Sequence, residues 1–136
     1  MEKEFIPYQE ALALKELGFD EQCFSRFYTK PKSKMFGIDE KGRYYPMKNT
    51  PKKLYIIGEH FVLNNDNIIN APFYHQTFKW FRKEYAIDSY IRANTIIDIP
   101  KTYQFNIDDN IDDTWYEIYE EAELACLKKL IEIVNL

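Results

Sequence analysis

With 136 residues, among them 11 Tyr, 10 Phe and 2 Trp, the chain is long enough for one domain with a substantial core. Its four glycines leave no room for a glycine-rich phosphate loop, and no apolar run approaches the roughly 18 residues of a membrane-spanning helix. The formal net charge of −4 is sorted by position: Arg26–Lys53 holds nine Lys/Arg and two acids, whereas Asp98–Leu136 holds ten acids and three Lys.

The opening Met-Glu-Lys-Glu-Phe-Ile-Pro has no apolar signal-peptide core, so a cytoplasmic product is expected. A first helix is predicted over Pro7–Leu17, with Pro7 in the first turn, an apolar face of Tyr8, Ala11, Leu12, Leu14 and Leu17, and Gly18 ending it in a left-handed conformation. Phe19 then folds back on the last turn. Cys23–Tyr28 reads as a strand covered on one face and half covered on the other. Lys30–Lys53, with three prolines and two glycines, reads as a long basic loop or hairpin. Short strands are expected near Lys34–Ile38 and Arg43–Met47, joined through Asp39–Gly42.

Leu54–Ile57 is a further short apolar run, which Glu59–Leu63 extends or follows, and Asn64–Asn67 marks a turn. A second helix is predicted from Pro72 to Tyr85. Phe73, Phe78, Trp80, Phe81 and Tyr85 supply its apolar bulk, with Tyr74, Lys79, Arg82 and Lys83 on the other faces. Ser89–Ile99 and Lys101–Ile107 read as an antiparallel pair with a short link at Pro100–Lys101. The alternation of Tyr103, Phe105 and Ile107 with polar residues predicts a half-buried strand. Asp108–Asp113 is an acidic turn.

A third helix runs from Tyr119, or a few residues earlier, to Val134, with acids at its start and Lys128 and Lys129 late. Thr114 and Glu117 are spaced as a capping box that would start it earlier; the alternative keeps Trp115–Ile118 as a last short strand. The order, roughly α-β-β-α-β-β-α, predicts an α+β domain with three helices on one face of a mostly antiparallel sheet, and a basic insertion at about residues 30–53. Cys23 and Cys126 sit within apolar patterns and are expected to be buried free thiols.

Phe5–Asp20, Ala71–Tyr85 and Tyr119–Val134 together resemble a group of small uncharacterised proteins from Bacteroidota, their phages and mobile elements. The resemblance covers the three helices and implies a phage or mobile-element setting and a cytoplasmic product. It implies no activity and no catalytic residue. Lys30–Asn67 departs from the pattern of that group by a longer basic insertion, where any special function of this chain is expected.

The candidate ligand-binding residues are Arg26, Tyr28, Lys32, Lys34, Arg43, Tyr44, Tyr45, Lys52 and Lys53, with His75, Lys79 and Arg82 on the second helix. Lys and Arg neutralise phosphates and Tyr offers a stacking face. The plain alternative is a solvated loop whose charge offsets the acidic C-terminal half. Asp108, Asn110 and Asp112 match the first ligands of a calcium loop, but Asp113 and Tyr119 stand where Gly and Glu are required. His60 and His75 have no ligand-pair spacing, and no carboxylate stands in an apolar frame that would raise its pKa.

These observations predict a non-enzymatic binding protein without cofactor or metal, a monomer or homodimer that does not enter membranes. A host protein or a small phosphorylated ligand is the first partner, and a counter-defence role fits the setting. A nucleic-acid-binding accessory protein and a self-association module are the alternatives.

Overall fold

The computed structural model describes residues 2–29, 35–38, 40–47, 52–56, 68–94, 96 and 100–136, with backbone alone at residues 2, 35–38 and 44–47. Its elements run α1 (Tyr8–Glu16), β1 (Ser25–Tyr28), β2 (Met35–Ile38), β3 (Tyr44–Met47), β4 (Tyr55–Ile56), β5 (Ile68–Ala71), α2 (Tyr74–Tyr85), β6 (Ser89–Ala93), β7 (Tyr103–Ile107), β8 (Asn110–Ile111) and α3 (Tyr119–Val134), with a 3-10 turn at Glu2–Glu4. This is an α+β fold with antiparallel pairing. The strands fall into two three-stranded sheets, β4-β1-β5 and β6-β7-β8, and a two-stranded ribbon, β2-β3. The chain divides into two compact units, Pro7–Ala71 and Met1–Ile6 with Pro72–Leu136. Among the described residues no helix is long and apolar enough to cross a membrane.

In the Pro7–Ala71 unit, α1 follows extended Pro7 and ends at Gly18, whose φ of +96° suits a residue without Cβ. Gly18 N donates to Lys15 O and Phe19 N to Leu14 O, both at 3.0 Å, which is the Schellman pairing that satisfies the last carbonyls of the helix. Phe19 and Leu14 are both buried. The helix packs on β5, Tyr8 meets Phe27 edge-on at 5.4 Å, and Lys15 Nζ donates to Ile68 O at 2.8 Å.

Central strand β1 opposes β4 through Ser25↔Ile56 and Arg26↔Tyr55, and β5 through Ser25↔Ala71, Arg26↔Asn70, Phe27↔Ile69 and Tyr28↔Ile68. All four of its residues are buried, so both faces are covered, beyond the half-covered face expected. The β2-β3 ribbon forms as the sequence suggested. Met35 pairs with Met47 and Ile38 with Tyr44, and Gly42 in the connection has a φ of +76°. Glu59–Leu63 and the Asn64–Asn67 turn lie outside the described residues. Strand β5, from an Ile-Ile-Asn-Ala run, adds an element that the sequence reading lacked.

In the other unit, Phe5 bridges to Phe73, their rings stack at 4.3 Å, and Ile6 N donates to Pro72 O at 3.0 Å. Phe73 is therefore extended, and α2 begins at Tyr74 rather than at Pro72. Its buried face is Tyr74, Thr77, Trp80 and Phe81. Tyr74, expected on an outer face, is in the core, and Tyr85, expected in it, is exposed. Helix α3 packs on β7 and β6 through Ala122, Cys126, Leu127 and Leu130, all closed to solvent.

Three expectations for this unit are corrected. Strand β6 runs to Ala93, paired with Tyr103, and not to Ile99; Asn94 N still donates to Thr102 O at 2.8 Å, Asn94 Oδ1 accepts from Ile96 N at 3.0 Å, and residues 95 and 97–99 lie outside the described residues. Strand β7 is not half-buried, because Gln104 and Asn106 are buried too. Their amides find partners: Gln104 Nε2 donates to Asp112 O, and Asn106 Nδ2 donates to the Tyr90 hydroxyl at 3.1 Å. The Thr114–Glu117 capping box does not form. Tyr116 exchanges two backbone hydrogen bonds of 2.7 Å with Tyr103, which holds the chain extended until Ile118, so α3 starts at Tyr119.

The acidic turn resolves into a tight hairpin. Ile107 opposes Asn110, and the two loop residues, Asp108 and Asp109, have φ of 47° and 65°, as a mirror-image type I turn requires. Cys23 and Cys126 are buried free thiols, as expected.

Candidate functional site

The sequence candidates divide between the units. His75, Lys79 and Arg82 are exposed on α2. Arg26, Tyr28, Arg43, Lys52 and Lys53 belong to the Pro7–Ala71 unit, with Tyr44 and Tyr45 on the backbone of β3. Lys32 and Lys34 lie outside the described residues. Arg43 is exposed beside the β2-β3 connection.

Four of the candidates come together on one sheet. Directly opposed residues of an antiparallel pair share a face, as do residues two apart along a strand. Arg26 and Tyr28 of β1, Tyr55 of β4 and Asn70 of β5 therefore lie on a single face. The Tyr28 and Tyr55 rings meet edge-on at 5.5 Å, and Lys53 Nζ stands 5.7 Å over the Tyr55 ring. Lys52, at a φ of 63°, donates its backbone N–H to Tyr28 O at 3.0 Å, and its Nζ lies 5.6 Å over the Tyr8 ring. Lys52 and Lys53 are exposed, but Arg26 keeps only 8 % of its surface and Tyr28 only 5 %.

The Arg26 Nε is closed to solvent and has no hydrogen-bond partner among the described residues, and the same is true of Asn70 Oδ1, directly across the strand pair. A guanidinium cannot shed its charge to escape burial, so an unmated Nε is an unusual holding in a folded interior. By chemistry, an anion complements the guanidinium, and a hydroxyl or amide donor complements the Asn70 oxygen. The sequence pointed to Arg26 by its charge. It gave no sign of Asn70, which reaches the face only through the β1-β5 pairing.

A second location lies in the other unit, where Glu4, Phe73, Tyr74, His75, Tyr119, Glu120 and Glu123 line a cleft of about 480 Å³. The His75 ring stacks on Phe73 at 5.2 Å. Burial, then the charges of Glu120 and Glu4, push the Glu123 carboxyl up to about 7. This corrects the expectation that no carboxylate stands in an apolar frame. Glu123 follows the fully buried Ala122 on α3, and its place at the edge of that stripe is the signal that could have found it. Burial also pushes the Cys126 thiol up to about 12. Among the described residues no three His, Cys, Asp or Glu side chains are grouped to hold a metal ion.

The chain matches no family model, no curated protein and no solved structure, so the geometry and chemistry of these residues carry the functional reading.

Proposed function

We propose that this protein works by binding and takes a small phosphorylated ligand on the face of the β4-β1-β5 sheet around Arg26. One observation carries the reading: Arg26 is buried, and its Nε has no hydrogen-bond partner among the described residues. A buried guanidinium N–H without a partner is held at a cost, and an anionic ligand is what would offset it. Lys53 over Tyr55 gives the same face an exposed cation, and Asn70 Oδ1 suits a ligand hydroxyl near the phosphate. In the phage or mobile-element setting that the sequence suggests, such a protein acts by sequestering a host metabolite. Nucleic acid fits less well, since the central cation is enclosed rather than laid along an open groove.

Native mass spectrometry of the purified chain, before and after denaturation, tests whether a ligand travels with it. Calorimetric titration with pyrophosphate and with ATP tests the site. Binding is expected to weaken at least about tenfold in Arg26→Met, whose side chain keeps the volume without the charge. Undiminished binding in that variant, or no binding of either probe by the parent chain and no co-purified ligand, would overturn the proposal.

A further inference from the structure

A second cleft, in the unit that holds α3, has a different character from the Arg26 face. It has a volume of about 570 Å³, in the range that houses small organic ligands. Its apolar lining is Ile87, Phe105, Ile107, Ile111 and Ile133. Phe105 and Ile107 are its closed floor, exposed by 7 % and 6 %, whereas Ile111 on the two-residue strand β8 keeps 49 % of its surface open. The cleft is thus an apolar hollow flanked by a hairpin on one side and by α3 on the other.

The polar groups around it are unequal in sign. Asp108 and Asp112 both line the cleft, and each is fixed through one oxygen. Asp108 Oδ1 accepts from Asp88 N at 2.9 Å, and Asp112 Oδ2 accepts from Thr114 N at 3.3 Å and from the Tyr116 hydroxyl at 3.5 Å. The second oxygen of each has no hydrogen-bond partner among the described residues and can accept from another donor. The cation in the lining, Lys129, is engaged by Glu132 at 3.1 Å. The unit as a whole holds eight Lys/Arg and fourteen acids. The hairpin keeps aspartate at both left-handed positions, where glycine is the easier residue, and one of them, Asp108, lines the cleft.

We propose that this cleft is a binding site for a small amphipathic amine, with the apolar body against Phe105, Ile107 and Ile133 and the protonated nitrogen between Asp108 and Asp112. Charge complementarity selects the amine over an acid of the same body. This site is independent of the Arg26 face and stands or falls without it.

Phenethylamine and hydrocinnamate share a phenylethyl body and carry opposite charges, so they separate the body from the head. With the full chain methyl-labelled at isoleucine, phenethylamine is expected to shift the Ile87, Ile107, Ile111 and Ile133 signals and to leave those of Ile68 and Ile69 in place. Hydrocinnamate is expected to bind about tenfold more weakly or worse. Asp112→Asn, which keeps the side-chain shape and the backbone carbonyl bonded to Gln104, should weaken the amine about tenfold. Ile111→Ser removes a half-exposed apolar contact with little risk to the fold and should weaken both probes. Equal or tighter binding of hydrocinnamate would overturn the assignment of the head. So would an Asp112→Asn variant that binds like the parent. Shifts confined to other methyls, or none at millimolar amine, would overturn the site.

Discussion

The two three-stranded sheets reach similar form by different chain paths. Strands β6, β7 and β8 follow one another in sequence and pair as neighbours. In the other sheet, central β1 takes both partners from much later in the chain, with Ser25 facing Ile56 on one side and Ala71 on the other. The polar residues enclosed by the two sheets differ as well. Buried Gln104 and Asn106 each have an amide partner within their unit, although Asn106 Oδ1 and Ser89 Oγ of β6 have none among the described residues. On β1 and β5 the unmated atoms are Ser25 Oγ, Arg26 Nε and Asn70 Oδ1, and one of them belongs to a cation. Charge divides the same way: Pro7–Ala71 has ten Lys/Arg and eight acids, net +2, and the rest of the chain is −6. The meander bonds two buried amides within itself, whereas the β1 sheet encloses a cation whose Nε no described residue satisfies.

That contrast predicts opposite signs for two similar substitutions. Arg26→Met removes a buried N–H that has no partner among the described residues, at nearly constant volume, and should raise unliganded stability by about 1–3 kcal/mol. Gln104→Met strips the Asp112 carbonyl of its donor and should lower stability by about 1 kcal/mol. Urea unfolding of the two variants reads both. A loss of stability in Arg26→Met would mean that the guanidinium is mated in the native state, and the contrast between the sheets would fall.

The difference in chain path also explains what was legible beforehand. Helix α3, the end of α1 at Gly18 and the β2-β3 ribbon are local features written in periodicity and turn residues, and they appear where the sequence placed them. Strand β5 did not show, because four residues leading into a helix carry no period of their own and become a strand only by pairing with β1. The polarity of Gln104 and Asn106 suggested exposure, but a buried amide with a hydrogen-bond partner is as stable inside as out. Of the candidate face, Arg26, Tyr28 and Lys53 were visible as charge and aromatic content. That they share a face with Asn70 depends on register between distant segments, which no local pattern encodes.

Titration distinguishes the units next. Glu123 binds a proton more readily folded, at about 7, than its ordinary value of 4.5. The native state therefore holds the extra proton between those values, and stability falls as pH rises from about 4.5 to about 7. Glu4 and Glu120 face the same cleft beside His75 and Tyr119, so the carboxylates repel one another once Glu123 is charged. Glu123→Gln should flatten this slope and raise stability at pH 8 by roughly 1 kcal/mol, less than the full shift implies because the group is half-exposed and screened. Thermal unfolding from pH 4 to pH 8 measures it, and an unchanged slope would remove Glu123 as its source.

The ends of α1 and α2 provide the mildest comparison. Both helices stop on a left-handed residue, Gly18 after α1 and Ala86 after α2, at φ of +96° and 54°. A methyl group at that conformation crowds the backbone, whereas glycine enters it freely. Among the described residues, a Cβ at Gly18 would meet no atom within 4 Å beyond its own chain neighbours, so backbone strain separates the two residues there. Gly18→Ala should therefore destabilise, and Ala86→Gly should stabilise, each by about 0.5–1 kcal/mol. The second gain is the net of relieved strain over the extra freedom that glycine brings to the unfolded chain, so it is the smaller of the two. Helix ends that obey one local rule, one already optimal and one not, would give opposite changes in urea midpoint. Equal signs would show that packing around one of these ends outweighs its backbone conformation.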